Sequence, residues 1–374
     1  MLTASLATAF AQDLPRGEIV DSVKCLADAA QSYSLYLPSS YSRDRQWNVI
    51  LLFDAGGRGR RGVERYQAAA EQYGYILAGS NNSRNGPWEV SDAAARAMRA
   101  DVLKRFTVNP RRVYTGGMSG GARVAMKVAL EEKGIAGVLA SSAGFPGEPR
   151  ANLPFPVFGT AGTEDFNHIE MQQLDHLVAT PHRVAVFRGG HAWLPVELAT
   201  QGVEWMELQA MKSGLRKRDD AAIARIFAAR EAEATAVKDD VSAWRAFDHM
   251  ASDFQGLHDV MKIKARADTL RKQKNVGEAL ARELAEEQIE ARMDGEISDL
   301  EVGLGGDREM REAAIDQLQS RFMTLSKQAN TPDDTAQRRM ARRVLSGVLA
   351  SARGLGDDEY LQLLDRFRPP AAPQ

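Results

Sequence analysis

In the first half of the chain apolar residues come in short runs of strand length, separated by stretches in which they recur at helical spacing. Tyr33-Ser-Leu-Tyr-Leu37 alternates large with small residues and stops at Pro38, which predicts a strand closed by a turn. Asn48-Val-Ile-Leu-Leu-Phe53 does not alternate and runs into Asp54-Ala-Gly-Gly57, the pattern of a strand buried on both faces that ends in a tight loop. Further strands are expected at residues 75–78, 113–115, 137–140, 155–158 and 183–187, with helices at 62–72, 93–106 and 203–211. Strands separated by helices need crossover connections. The expected class is therefore α/β, a doubly wound, mostly parallel sheet with helices on both faces.

The pattern changes in the charged segment Ser213-Gly-Leu-Arg-Lys-Arg-Asp-Asp220, where no apolar run survives. Beyond it only helical spacing is found, as in Trp244, Phe247, Ala251 and Phe254, or Ile315, Leu318, Phe322 and Leu325. Breaks at Gln255-Gly256, Gly303-Leu-Gly-Gly306, Asn330-Thr-Pro332 and Gly354-Leu-Gly356 divide this half into hairpin-sized pieces that can stack like an α-solenoid. The expected organisation is an α/β domain at 13–212, an all-α domain at 220–368 and a tail at 369–374. A chain of 374 residues is long enough for two such cores.

Charge narrows the choice of partner. Lys and Arg number 48 against 50 Asp and Glu, and no basic stripe is interleaved with aromatic residues, so nucleic acid is not expected as a ligand. One cysteine, Cys25, excludes an internal disulfide and any multi-cysteine metal site. Residues 1–12 form an apolar stretch ending in Ala9-Phe-Ala11, a small-x-small pattern of the kind that precedes signal-peptidase cleavage. It implies export to a periplasmic or extracellular setting, although a basic n-region is missing; without such a signal the chain would be cytoplasmic. No later segment has the length and apolarity of a membrane span.

The candidate chemistry begins at Gly117-Met-Ser119-Gly-Gly121, between a predicted strand and a helical stretch. A serine presented on a sharp strand-to-helix turn needs very small residues two places to either side, because the backbone doubles back on itself. Ser119 is thus the candidate nucleophile. A serine hydroxyl needs a base, and of six histidines only His191 follows a strand through a flexible Gly189-Gly190 loop, at the end of the sheet where α/β sites are built. The acid that orients it is sought in Gly162-Thr-Glu-Asp165, after the penultimate strand, where both Asp165 and Glu164 could reach; Asp165 has the shorter side chain and is preferred. For an oxyanion hole the candidates are the N–H groups of Gly120 or Met118, and of Ala55, Gly56 or Gly57 in the loop after the second strand. This chemistry calls for no cofactor and no metal.

The order of strand, Asp54-Ala-Gly-Gly57 loop, Gly-Met-Ser-Gly-Gly elbow, acid loop and Gly-Gly-His191 resembles the α/β-hydrolase superfamily. Within it the likeness is to compact esterases, the feruloyl-esterase and polyhydroxybutyrate-depolymerase-like group and the dienelactone hydrolases. It spans roughly residues 30–212. These enzymes commonly carry His-Gly where Asp54-Ala55 stands here, whereas Gly162-Thr-Glu-Asp165 is similar to their Gly-x-x-Asp acid run and favours Asp165. The resemblance implies a serine esterase acting through an acyl-enzyme on small-molecule or oligomeric esters. Alternatives are a serine peptidase of the same fold and an inactive hydrolase fold that binds a protein, with the helical half as the surface for a partner or for self-association. The short connection at 141–150 leaves no chain for a helical lid, and Asn85, Trp88 and Trp193 are expected at the rim, which suits short-chain or aromatic acyl groups.

Overall fold

The computed structural model describes residues 14–372. The expected export signal at 1–12 lies outside the described residues. The chain forms two compact units: the first runs up to Thr160 and also takes in Gln173–Ala185 and Trp193–Ile223, and the second consists of Ala161–Gln172, Val186–Ala192 and the chain from Ala224 onward.

In chain order the α/β part is β1 (Ile19–Lys24), β2 (Ser32–Tyr36), β3 (Trp47–Asp54), α1 (Gly59–Tyr73), β4 (Tyr75–Ser80), α2 (Trp88–Arg105), β5 (Val108–Met118), α3 (Gly120–Glu131), β6 (Ile135–Ser141), β7 (Val157–Gly162), α4 (His168–Leu177), β8 (His182–Phe187) and α5 (Val196–Lys212). The strands form one eight-stranded sheet in the order β1-β2-β4-β3-β5-β6-β7-β8. β1 and β2 pair antiparallel, as do β2 and β4, and the pairs from β4 through β3, β5 and β6 to β7 are parallel. α1 packs against α5, and α2 against α3. Buried apolar residues dominate β3 and β4, because a strand covered by helices on both faces has no wet side to fill with polar residues. A buried ionic cluster lies beside them: Arg112 donates to the hydroxyls of Tyr114 at 2.8 Å and Tyr75 at 2.7 Å and pairs with Glu207 of α5.

Three local departures from the sequence pattern have physical causes. β1 goes unseen because it is an edge strand with only Val23 buried, and Asp21 and Ser22 break Ile19, Val20 and Val23 into neither a run nor an alternation. β7 occupies Val157–Gly162 rather than 155–158, since Gly159, Thr160 and Gly162 read as turn residues yet lie in a wholly buried strand. Gly162 is needed there: a Cβ would collide with the carbonyl oxygens of Gly189 and Gly190. α2 starts at Trp88, immediately after Pro87, where proline suits a helix start because it has no N–H to leave unpaired.

The remaining helices are α6 (Asp220–Ala236), α7 (Asp240–Phe254), α8 (Met261–Arg271), α9 (Lys274–Gly303), α10 (Arg308–Ala329), α11 (Ala336–Leu355) and α12 (Asp358–Asp365). Four of the boundaries fall at the glycine and proline breaks of the sequence. The starts are written in side chains: Asp239, Asp307, Thr335 and Asp357 each accept a hydrogen bond from an N–H in the first turn of α7, α10, α11 and α12. α9 to α12 share a core centred on Leu318, Phe322, Ala341 and Tyr360, all fully buried. Among the described residues no helix is long and apolar enough to cross a membrane.

Truncation of Phe322 to alanine should cost about 3–5 kcal/mol through lost burial and the cavity left behind. Chemical denaturation followed by far-UV circular dichroism measures it.

Candidate active site

The first unit carries Ser119 between β5 and α3 with φ 57° and ψ −127°. Among the described residues only Ser119 and Ser142 are non-glycine residues with positive φ. Such a backbone costs on the order of 1–3 kcal/mol and persists only where the surroundings impose it. They do so here by steric closeness. A Cβ on Gly117 would fall inside contact distance of the Gly121 carbonyl, and one on Gly121 inside that of the Phe53 carbonyl. The turn is held from below by the Ser119 N–H, which donates to the Ser141 carbonyl at 2.8 Å. Met118 is in register with Asp54 on one side and Ser141 on the other, so its own N–H faces the sheet rather than the turn. Gly120 is the first residue of α3, where N–H groups have no partner within the helix and the helix dipole favours negative charge.

Opposite that helix start lies the loop after β3. Its Asp54 is buried and collects donors: Gly56 N–H at 2.8 Å, Arg58 Nε at 2.7 Å and the indole N–H of Trp193 at 2.9 Å. Burial opposes the charge on Asp54, but these hydrogen bonds outweigh it and hold the carboxyl below the ordinary carboxylate range. The N–H of Gly57 turns back to the Asp54 carbonyl at 3.2 Å. The N–H groups of Gly56 and Gly57, two of the three donors expected of this loop, are therefore both committed to Asp54. The polar loop at 81–88 fastens onto the same place through a bridge between Gly56 and Arg84 and the Asn85 N–H on the Ala55 carbonyl at 2.8 Å. The Asn85 side chain rests against Gly120, filling the space a Cβ there would need. Trp88 is exposed at the start of α2 with the Lys127 ammonium 5.8 Å from its ring centre, whereas Trp193 is buried, packed where Gly62 leaves room, and anchors Asp54.

The second unit carries the acid loop and His191. Asp165 is completely buried, and its Oδ1 lies 2.7 Å from His191 Nδ1 and accepts the Asn167 N–H at 2.9 Å. A carboxylate at Nδ1 selects the tautomer with the proton on that nitrogen and makes Nε2 the basic one. Phe166 stacks on the imidazole, ring centres 3.9 Å apart, and fixes its plane. Acid loop and histidine loop are laced together by the Thr163 N–H on the Phe187 carbonyl and the Glu164 N–H on the Gly189 carbonyl, each 2.8 Å. The Glu164 carboxylate turns elsewhere, to Arg338 and Arg342. His168 faces the Gly162 carbonyl at 3.1 Å; burial and the charge of Arg343 push it down to about 4, so it stays neutral.

The sequence pattern missed these arginines. The one signal that could have raised them is Gln337-Arg-Arg-Met-Ala-Arg-Arg343 in a helix without a single acidic residue, whose counter-charges must come from outside it.

No protein-family model matches the chain. No curated protein matches it either. Among solved structures it is similar to an esterase from Pyrobaculum calidifontis, with 12% identity and a TM-score of 0.40 over 52% of this chain and 87% of that one. It is also similar to Est1E from Butyrivibrio proteoclasticus, with 13% identity and a TM-score of 0.42 over 51% and 99%. The feruloyl esterase module from Clostridium thermocellum shows 14% identity and a TM-score of 0.38 over 50% and 86%. What the site can do is decided by its own geometry.

Two substitutions probe that geometry. Gly121→Ala should destabilise the first unit by at least about 1–3 kcal/mol, because its methyl group meets backbone that has nowhere to move. Asp54→Ala should cost about 1–3 kcal/mol by stranding the buried indole N–H of Trp193. Urea midpoints equal to that of the unsubstituted protein would contradict both.

Proposed function

We propose that the chain is a serine hydrolase of the α/β-hydrolase type that cleaves carboxylic esters through an acyl-enzyme. Ser119 is the nucleophile, His191 the base, Asp165 the acid, and the N–H groups of Gly120 and Ala55 bind the oxyanion. The observation that carries this reading is the turn at Ser119, a costly backbone conformation maintained by two glycines whose replacement is sterically barred. The Asp165–His191 hydrogen bond supports it independently, since it leaves the imidazole in the tautomer a base requires.

In the proposed reaction the Ser119 hydroxyl adds to the ester carbonyl while its proton passes to His191 Nε2. The oxyanion collapses, the proton goes to the departing alkoxide, and the alcohol leaves the acyl group on Ser119. Water then attacks, gives its proton to His191, and the acid is released as the serine regains its hydrogen. Asp165 stays ionised throughout and offsets the imidazolium charge.

For the substrate, the segment joining β6 to β7 contains no helix, which supports an open site rather than one roofed by a lid. The exposed Trp88 and Asn85 at the polar loop suit a flat aromatic or short acyl group. The apolar start of the sequence supports export as the setting. A peptidase would use the same three residues, and the comparison of substrates below separates the two.

Labelling by a fluorophosphonate probe tests the nucleophile directly: the native chain should react, and Ser119→Ala should not. A scaffold without activity would leave the probe untouched. On p-nitrophenyl esters, Ser119→Ala and His191→Ala should each lower kcat by about a millionfold, and the double variant by little more, because residues that act as a unit do not add. Asp165→Asn should cost about ten-thousandfold, well beyond Glu164→Gln, since an amide holds the wrong tautomer. Trp88→Ala should raise KM more than it lowers kcat. Faster turnover of peptides, or of long-chain over butyryl esters, would overturn the substrate assignment.

A further inference from the structure

We infer that α11 is a working part of the site, its arginines acting as positioning residues that hold the acid loop where Asp165 meets His191. The claim rests on the proposed roles of those two residues, but its physical content concerns the loop itself.

The contacts bracket Asp165 along the chain. On the residue before it, Arg342 Nη1 reaches both oxygens of the buried Glu164 carboxylate at 3.1 Å, and Arg338 Nη2 approaches from 3.4 Å. One residue earlier, Arg343 Nη1 donates to the Thr163 carbonyl at 2.7 Å. On the residue after it, Phe166 comes so close to Gly347 that a Cβ there would lie 3.3 Å from the Phe166 Cβ. That same Phe166 stacks on the His191 ring. One helix thus touches residues 163, 164 and 166, and the carboxylate between them is the one bonded to the imidazole.

Arg343 is itself made rigid. Its Nε donates to Glu290 of α9 at 2.7 Å and its Nη2 to the other oxygen of the same carboxylate, so the planar guanidinium has a fixed orientation from which Nη1 meets Thr163. Buried ion pairs contribute little net stability compared with apolar packing of the same volume, because both charges lose their water. What a bidentate pair does supply is a single geometry. Three guanidinium groups converging on the backbone and side chain beside a functional carboxylate are a costly way to dock a helix and an effective way to fix an angle. Positional errors of about an ångström in catalytic groups lower rates by as much as a hundredfold.

The test uses the full chain with two substitutions. Arg343→Lys keeps a positive charge against Glu290 but gives up the fixed fork that reaches Thr163, and Arg342→Gln removes the Nη1 that both oxygens of Glu164 share. Arg321→Gln, on α10 and paired with Glu296 away from the loop, is the control. Hydrogen exchange measured by mass spectrometry should show faster exchange in peptides covering 161–172 and 186–192 in both variants, with β3 to β6 unchanged. On p-nitrophenyl butyrate kcat should fall about tenfold to a hundredfold while KM moves less than about twofold, as misplacement of a reacting group requires. If Arg343→Lys does not fold, Arg342→Gln alone decides. Unchanged exchange in the two loops overturns the inference, and so does looser exchange with kcat intact in a chain whose Ser119→Ala variant is dead. If the native chain hydrolyses no ester, the proposed function fails separately, and the exchange data still show whether α11 holds the pair.

Discussion

At residues 117 and 121 the space for a Cβ is already occupied by backbone, and only because both are glycine can the chain double back at Ser119. Everything around the serine follows from that close approach. The carbonyl of Phe53 can lie against α3 only because Gly121 has no side chain, and this brings the loop after β3 to the start of the helix. The strain stored at Ser119 is offset by the buried parallel strands on both sides, whose hydrogen bonds include the one from Ser119 itself to Ser141. A larger residue at either glycine would not tilt the serine slightly; it would prevent the turn.

Around this constraint the first unit solves a second problem, that of keeping a glycine-rich loop in one shape. Asp54 does it by taking hydrogen bonds from the loop, from Arg58 and from Trp193. A buried carboxylate serves as the knot of this loop. The N–H groups of Gly56 and Gly57 both turn inward to Asp54, which closes the loop on itself.

The second unit uses charge where the first uses closeness. Its loop at 162–167 is gripped by guanidinium groups, through Glu164 and the Thr163 carbonyl, beside the packing of Phe166. Asp165 takes the imidazole of His191 and the Asn167 N–H at one oxygen. Glu164 and Asp165 are neighbours with the same chemistry, and their surroundings have given them different work.

Several of these features were fixed locally and could be read from the sequence. The parallel-sheet class was visible because strands covered on both faces must be apolar throughout, and four breaks of the helical half because glycine and proline interrupt it at 255–256, 303–306, 330–332 and 354–356; the caps Asp239, Asp307, Thr335 and Asp357 came to light with the structure. The serine turn was visible because its steric demand falls on residues only two places away. β1 was hidden because Asp21 and Ser22 interrupt its apolar residues, and the end of β7 because Gly162 answers to Gly189 and Gly190, far along the chain. The partners of Glu164 lie some hundred and seventy positions distant in α11, and no local spacing encodes a bond between groups that meet only after the chain has folded. Short-range sterics and capping act within a turn or two and leave their mark in neighbouring residues. Long-range ion pairs need only one correct residue at each end, and which carboxylate each arginine finds was decided by the tertiary structure.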